Sequence, residues 1–336
     1  MSVSVSKKVK QDKVKNSKLN FAFIADGVKN FSKSDIFHDS SFALMLASQS
    51  LNVNIFLSES NNLKIINNKV FAKFDKVRVK QVPDKHVNVL NTSYLPLDSF
   101  NAVFARKDPP IDENYLSYIQ MLTLVSNKKT LIINNPEGIL KTNEKLYALR
   151  FPKLTPPTLI TNKKDELVDF LDKHKEAVIK PLFDKSGSGV FYLNKNVKNA
   201  NAIIESSIHD GSRVALIQKY IPQVLSGDKR IILLNGEPIG AMLRIPKKGE
   251  LRANMSRGAS VKPAALTKRD LEICEALKPY LIADGLYFAG IDVIGGYLTE
   301  VNVTSPTGLQ EIERFTGRAL SKEIIEWVIE RLMADG

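Results

Sequence analysis

The residues with most chemical potential lie in positions 290–308, GIDVIGGYLTEVNVTSPTG, where Asp292, Glu300 and Asn302 interrupt apolar, strand-forming runs. Burying a carboxylate there costs on the order of several kcal/mol unless a partner neutralises it. A lysine or arginine would serve. So would a divalent ion, since an oxygen-only set suits hard Mg²⁺, with Mn²⁺ as a substitute. Strand alternation puts Glu300 and Asn302 on one face. Register then decides where Asp292 points. A two-residue loop at Gly295-Gly296 pairs Asp292 with Thr299, facing away from Glu300. A three-residue loop over residues 295–297 sets it opposite Glu300. A shared cation therefore predicts the longer loop, with a left-handed glycine and a bulge.

A second group is cationic. Lys145 falls in a helical stretch, and Lys180 ends a strand before Asp184-Lys185-Ser186-Gly187-Ser188-Gly189. Backbone N–H groups of such a loop, with a lysine at its base, can cradle phosphate. A mobile hairpin tip explains the same glycines equally well, and there is no Walker A sequence. Arg106, Arg230, Arg244 and Arg252 supply forked donors suited to carboxylates and phosphates, although each alone reads as a solvated charge. None of the four histidines (His38, His86, His174, His209) has a spacing that makes it a base or activates a nucleophile. The single Cys274 excludes an internal disulfide and a multi-thiolate zinc site.

These groups need elements to hold them. Apolar runs at residues 19–25, 53–57 and 102–105, with a helix over 39–50, predict a βαβ unit and an open α/β sheet. Residues 57–93 are polar and carry no firm assignment. Pro152, Pro156 and Pro157 mark a domain junction. Beyond it come a helix at 165–174, strands at 177–180 and 190–193, and a hairpin turning at Asn235-Gly236 between strands 230–234 and 239–243. A capping box at Thr267 and Asp270 opens a helix to residue 281, and a second amphipathic helix spans 321–333. No run reaches the roughly 18 apolar residues of a membrane helix. The net charge is 48 − 36 = +12. Residues 1–18 hold six lysines against Asp12, so this tail alone supplies +5. Without interleaved aromatics the tail reads as a solvated, disordered arm, which argues against nucleic acid.

Several segments in order resemble the bacterial-type glutathione synthetases, a family of ATP-grasp ligases. They are Asp39-Ser40-Ser41-Phe42, Arg106-Lys107-Asp108-Pro109-Pro110, Asn143-Glu144-Lys145-Leu146-Tyr147, Gln218-Lys219-Tyr220-Ile221-Pro222, Gly227-Asp228-Lys229-Arg230, Arg244-Ile245-Pro246 and TEVNVTSPT at 299–307. The resemblance implies an N-terminal open α/β domain (19–135) followed by an ATP-grasp fold of two α+β subdomains, a lid (136–217) and a catalytic part (218–336). It implies ligation of γ-glutamylcysteine to glycine through an acyl phosphate, with ATP and Mg²⁺, in a cytoplasmic homo-oligomer without membrane contact. Asp292, Glu300 and Asn302 would hold metal. Lys145, Lys180, Gly187, Gly189, Gln218, Tyr220, Ile221 and Asp228 would bind ATP. Arg230, Arg244 and Arg252 would steady the acyl phosphate. Arg106 with Ser305, Pro306 and Thr307 would receive the dipeptide. Another ATP-grasp carboxylate–amine ligase, or a basic nucleic-acid-binding protein, is the alternative.

Overall fold

Two of the three sheets have central strands that are buried on both faces. The computed structural model describes residues 18–126, 129–183, 188–196 and 198–335. The N-terminal sheet starts with β1 (Asn20–Ile24), helix α1 (Ser40–Ser50) and β2 (Asn54–Ser58). Next come β3 (Lys64–Ile66), β4 (Lys69–Val79), β5 (Val87–Pro96), β6 (Ala102–Ala105), α2 (Glu113–Thr123) and β7 (Leu131–Ile133). Its order is β3-β4-β2-β1-β6-β7, with β5 on the free side of β4. The β2-β1-β6-β7 half is parallel, as the βαβ pattern requires. The unassigned stretch after residue 57 holds the long antiparallel β4–β5 hairpin.

Short helices α3 (Pro136–Leu140) and α4 (Glu144–Ala148) lead to a smaller antiparallel sheet. It comprises β8 (Thr158–Thr161), α5 (Lys164–His174), β9 (Glu176–Pro181), β10 (Phe191–Asn194), α6 (Ala200–Ile208) and β11 (Ala215–Lys219), in strand order β10-β9-β11-β8. The expected division between residues 217 and 218 thus falls inside β11. The third sheet, ordered β14-β13-β12-β15-β16, contains β12 (Asp228–Leu234), β13 (Glu237–Ile245), β14 (Ser260–Pro263), β15 (Phe288–Ile294) and β16 (Tyr297–Asn302). Helix α7 (Lys268–Ala283) precedes β15, with the Thr267–Asp270 capping box formed. Helices α8 (Leu309–Thr316) and α9 (Leu320–Asp335) follow β16.

Packing sorts these elements into two bodies. In β1, Ala22 and Ile24 enter one core, while Phe21 and Phe23 enter another. In β12, Ile231 and Leu233 join the first, Ile232 and Leu234 the second. The N-terminal and C-terminal sheets therefore share both of their apolar layers. Tyr147, Ala148 and Phe151 also pack in the first of these cores, so residues around α4 belong to this larger body. The middle sheet has its own small core of Leu167, Leu171, Ile179, Leu193, Ile204, Ile208, Ile217 and two alanines.

Candidate active site

A cleft of about 720 Å³ is lined by residues of the middle and C-terminal sheets and by N-terminal-domain residues outside the strands. Fifteen residues expected from the sequence line it: Lys145, Lys180, Gln218, Tyr220, Ile221, Asp228, Arg230, Arg244, Arg252, Asp292, Glu300, Asn302, Ser305, Pro306 and Thr307. Gly189 is at φ 67° and is not among the lining residues. Gly187 lies outside the described residues.

The β15–β16 hairpin places Asp292 opposite Glu300, but not through a longer loop. Ile294 pairs with Tyr297, so the turn is the two residues Gly295 and Gly296, with φ of 57° and 81°. Two consecutive positive φ values match the strand twist and need glycine. The extra residue is Thr299. It forms a bulge between the Asp292 and Val293 pairs, and its Oγ1 donates to the Asp292 carbonyl at 3.1 Å. The bulge supplies the register shift that the three-residue loop was expected to give.

Neighbouring strands then build an alternating charge array. Asp228 on β12 is opposite Arg244 on β13, and Arg230 on β12 is opposite Asp292 on β15. Arg230 donates Nε and Nη2 to the two Asp292 oxygens at 2.6 and 3.1 Å. Arg244 Nη2 lies 2.5 Å from Asp228 Oδ2 and 3.0 Å from Asp292 Oδ1. Burial pushes the Asp292 carboxyl up, but the two guanidiniums outweigh it and hold it well below the usual range. Asp228 moves the other way, because burial and nearby Asp292 exceed the help from Arg244. Its Oδ1 and the Nε of Arg244 are buried with no hydrogen-bond partner.

Glu300 sits 3.5 Å from the Lys180 ammonium, whose pKa burial lowers against the pull of that carboxylate. Asn302 donates Nδ2 to the Gly290 carbonyl at 3.2 Å and to Asp292 Oδ2 at 3.3 Å. With its nitrogen so engaged, its carbonyl oxygen is the group left for a ligand. Among the described residues no three His, Cys, Asp or Glu side chains converge as a metal cluster. The set here is two carboxylates and an amide oxygen. That chemistry fits Mg²⁺, which takes one or two carboxylates and completes its shell with water and phosphate.

Farther along the cleft, buried Gln218 donates to Thr158 Oγ1 at 2.8 Å, and Tyr220 packs edge-on against Tyr192 at 4.8 Å. Val178, Ile221, Val224 and Ile294 give this end an apolar lining. Lys145 Nζ donates to the Leu182 carbonyl at 3.3 Å, just past β9. Arg252 forms a two-point pair with Glu250, Nε to Oε1 at 2.9 Å and Nη2 to Oε2 at 2.6 Å. Hydrogen bonds from Arg252 draw the Glu250 carboxyl down to about 2.

Arg106 is placed differently from the expectation. It is buried and is not a lining residue. Its Nε donates to Ser41 Oγ at 3.0 Å and its Nη2 to the Pro306 carbonyl at 2.9 Å, so it holds the Ser305-Pro306-Thr307 turn.

Several lining residues were not among the site residues named from the sequence, among them Glu144, Asp39, Glu250 and His38. Glu144 follows the cap Asn143, accepts the Thr304 hydroxyl at 2.9 Å, and is pushed up to about 7 by burial and by Glu300. Asp39 caps α1 by accepting the Phe42 N–H at 2.6 Å, and burial raises it to about 6. Glu250 is the third. His38, set aside with the other histidines, lines the cleft with Nδ1 at 2.5 Å from Glu311 Oε1. Its partner lies 273 positions away. Asp39 and Glu144 lie within the segments that carry the resemblance, and His38 adjoins Asp39.

Known proteins resemble this chain in sequence and in fold. The family model for the prokaryotic glutathione synthetase N-terminal domain matches residues 19–139, and that for the same family's ATP-grasp domain matches residues 144–317. A glutathione synthetase of Synechocystis sp. is 43% identical over 319 residues, covering 92% of this chain and 99% of the relative. That of Coxiella burnetii is 38% identical over 296 residues, covering 88% and 91%. Among solved structures, D-cycloserine synthetase DcsG superposes with a TM-score of 0.65 at 14% identity, over 93% of this chain and 99% of that one. The ATP-grasp ligase PsnB, solved with a precursor variant, Mg and ADP, gives 0.59 at 12%, over 94% and 98%. The last two establish the fold alone. With both domain models matched in order and the sequence relatives covered nearly end to end, the chain belongs to the prokaryotic glutathione synthetase family.

Proposed function

We propose that this protein joins γ-glutamylcysteine to glycine at the cost of ATP, giving glutathione, ADP and phosphate. The observation that carries the reading is the cross-strand array Asp228–Arg244–Asp292–Arg230 beside Glu300 and Lys180. A free carboxylate is a poor acyl donor. Transfer of the γ-phosphoryl group to the cysteinyl carboxylate converts it to a mixed anhydride. The glycine amine then attacks the carbonyl carbon, the C–O bond to phosphate breaks, and the amine proton is lost. Both steps gather negative charge on oxygen, and Arg230, Arg244 and Arg252 are the cations we assign to offset it. No enzyme nucleophile is needed.

The remaining side chains take positioning roles. Tyr220, Ile221 and Gln218 form the slot for the base, and Lys145 and Lys180 meet the phosphates. Asp228 lies between the nucleotide and the arginines. Mg²⁺, held by Asp292, Glu300 and Asn302, would supply charge neutralisation of the triphosphate. Ser305, Pro306 and Thr307, with Arg106 behind them, shape the dipeptide side. We place the enzyme in the cytoplasm as a homo-oligomer, which light scattering at assay concentrations tests. No described helix is long and apolar enough to cross a membrane.

A coupled ADP-release assay with γ-glutamylcysteine, glycine and ATP decides the reaction, with each component omitted in turn. Release that requires all three supports it. Release that is insensitive to glycine, or that appears only with another acid and amine pair, would sink it.

A further inference from the structure

Helix α4 borders two cavities. Glu144 and Lys145 line the cleft, whereas Leu146 and Tyr147 line a second cavity of about 510 Å³, which shares no described lining residue with the first. That volume suits a small organic molecule. Its wall is largely apolar. Ile119 and Ile139 belong to the larger body's core, while Leu116, Leu140, Leu146 and Phe183 keep 39 to 47% of their surface exposed. Large apolar side chains left open side by side mark an interaction site, where the same residues scattered singly would not.

Polar groups in this wall define what it would hold. The charged lining residues are both cations, Lys141 and Arg150, and among the described residues no carboxylate lines the cavity. Arg150 is fixed, its guanidinium 4.9 Å from the ring centroids of both Tyr147 and Tyr280, with Nη1 donating to Asp284 at 3.1 Å. Tyr115 is 2% exposed, lines the cavity, and has no hydrogen-bond partner for its hydroxyl among the described residues. A buried hydroxyl without a partner is costly, and an acceptor on a bound molecule would relieve it. An apolar body with an anionic, hydrogen-bond-accepting group therefore matches the wall. The cavity is also tied to Lys145 through one carbonyl. Leu182 accepts Asn143 Nδ2 at 3.1 Å and Lys145 Nζ at 3.3 Å, and Phe183 is the next residue. Asn143 caps α4 as well, accepting the Lys145 and Leu146 N–H groups at 3.0 and 3.1 Å.

We propose that this second cavity is a regulatory site for a small organic anion with an aromatic or branched aliphatic body, and that its occupancy weakens ATP binding through the Leu182–Lys145 contact. A molecule packed between Phe183 and Leu146 holds the Leu182 carbonyl against the Lys145 ammonium, which then competes with phosphate for that group. The site stands on its own residues, whereas the coupling rests on the place of Lys145 in the ligase reading above. Since coupling between two sites is reciprocal, ATP must weaken the anion by the same factor.

Fluorescence titration with 8-anilinonaphthalene-1-sulfonate tests the site, and N-phenyl-1-naphthylamine, with the same rings but no sulfonate, tests the preference for an anion. The sulfonate should bind wild type saturably. Leu116→Asp sets a like charge in the wall and should raise its Kd about tenfold or more, while Leu116→Met should leave it within about twofold. Lys141→Gln should raise Kd for the sulfonate about two- to fivefold and leave that of the neutral amine unchanged. Saturating ATP with Mg²⁺, without the other substrates, should raise Kd for the sulfonate to a plateau about fivefold or more higher, and calorimetry should show the sulfonate raising Kd for ATP by the same factor. No saturable binding, indifference to Leu116→Asp, equal losses of both probes in Lys141→Gln, or complete displacement by ATP would overturn the site. Sulfonate and ATP that ignore each other would overturn the coupling. Should Leu116→Asp misfold, wild type still decides through its plateau with ATP. No ADP release with γ-glutamylcysteine and glycine overturns the ligase reading instead and leaves the fluorescence result standing.

Discussion

Glu300 and Glu144 are neighbouring carboxylates with different surroundings, and each answers to a different measurement. Glu300 is part-exposed, faces Lys180, and stands on the hairpin opposite Asp292. Glu300→Gln keeps shape and removes the charge assigned to the cation in the proposed reaction. Turnover should fall about a hundredfold or more, as for the loss of a transition-state donor, with an unchanged circular dichroism spectrum. Wild-type turnover at saturating Mg²⁺ would remove Glu300 from the metal set. Glu144 reports through stability. Its carboxyl is raised from 4.5 to about 7, so the folded chain holds a proton that the unfolded chain has already released between those values. Unfolding is therefore progressively favoured as pH rises through that window. Above it the full penalty applies, at most about 3 kcal/mol. Glu144→Gln cannot ionise. Its Tm should exceed that of wild type at pH 8 and match it near pH 4. A difference of equal size at both pH values would mean that Glu144 acts through packing alone.

At the scale of elements, the β15–β16 hairpin shows what a sequence can and cannot disclose. Alternation left the direction of Asp292 to the register, and only a shared cation argued that it faces Glu300. That Thr299 provides the shift was not legible, because a bulge and a longer loop give the same register downstream. The β4–β5 hairpin went unseen for a related reason. Val70, Ala72 and Phe74 alternate inward on β4, but Phe71 and Lys73 between them mask the pattern, and β5 is mostly exposed along its length. The Gly295-Gly296 turn allows a sharper check. A methyl group on either residue meets the same positive-φ strain, of roughly 1 to 2 kcal/mol. At Gly295 the Cβ would also come within 2.9 Å of Ile221 Cγ2, whereas at Gly296 it meets Arg269 at an ordinary 3.4 Å. Gly295→Ala should therefore raise KM for ATP several-fold, as expected when a packed pocket wall shifts, beyond any change in Gly296→Ala. Matching KM values in the two variants would remove Ile221 from the nucleotide slot.

The whole molecule divides by its cores rather than by its sheets. Residues from the N-terminal and C-terminal sheets fill two shared cores, so these sheets should unfold together. Among the described residues the middle sheet has a core of nine buried side chains of its own, few enough for local opening at a lower free energy. Yet it carries Lys180 on β9 and Gln218 on β11, both buried in the cleft wall. Ligand binding must then couple the weaker body to the stronger one. Native-state hydrogen exchange tests this directly. Without nucleotide, the amides of Ile179 and Ile217 should exchange faster than those of Phe23 on β1 and Ile232 on β12, by about tenfold or more for each 1.4 kcal/mol of difference in opening free energy. ATP with Mg²⁺ should slow Ile179 and Ile217 selectively if the proposed nucleotide site, with Lys180 and Gln218 from the middle sheet, is the one that binds. Uniform exchange across all three sheets would mean a single cooperative unit, and uniform slowing by nucleotide would mean that ATP stabilises the fold without selecting a closed arrangement of the cleft.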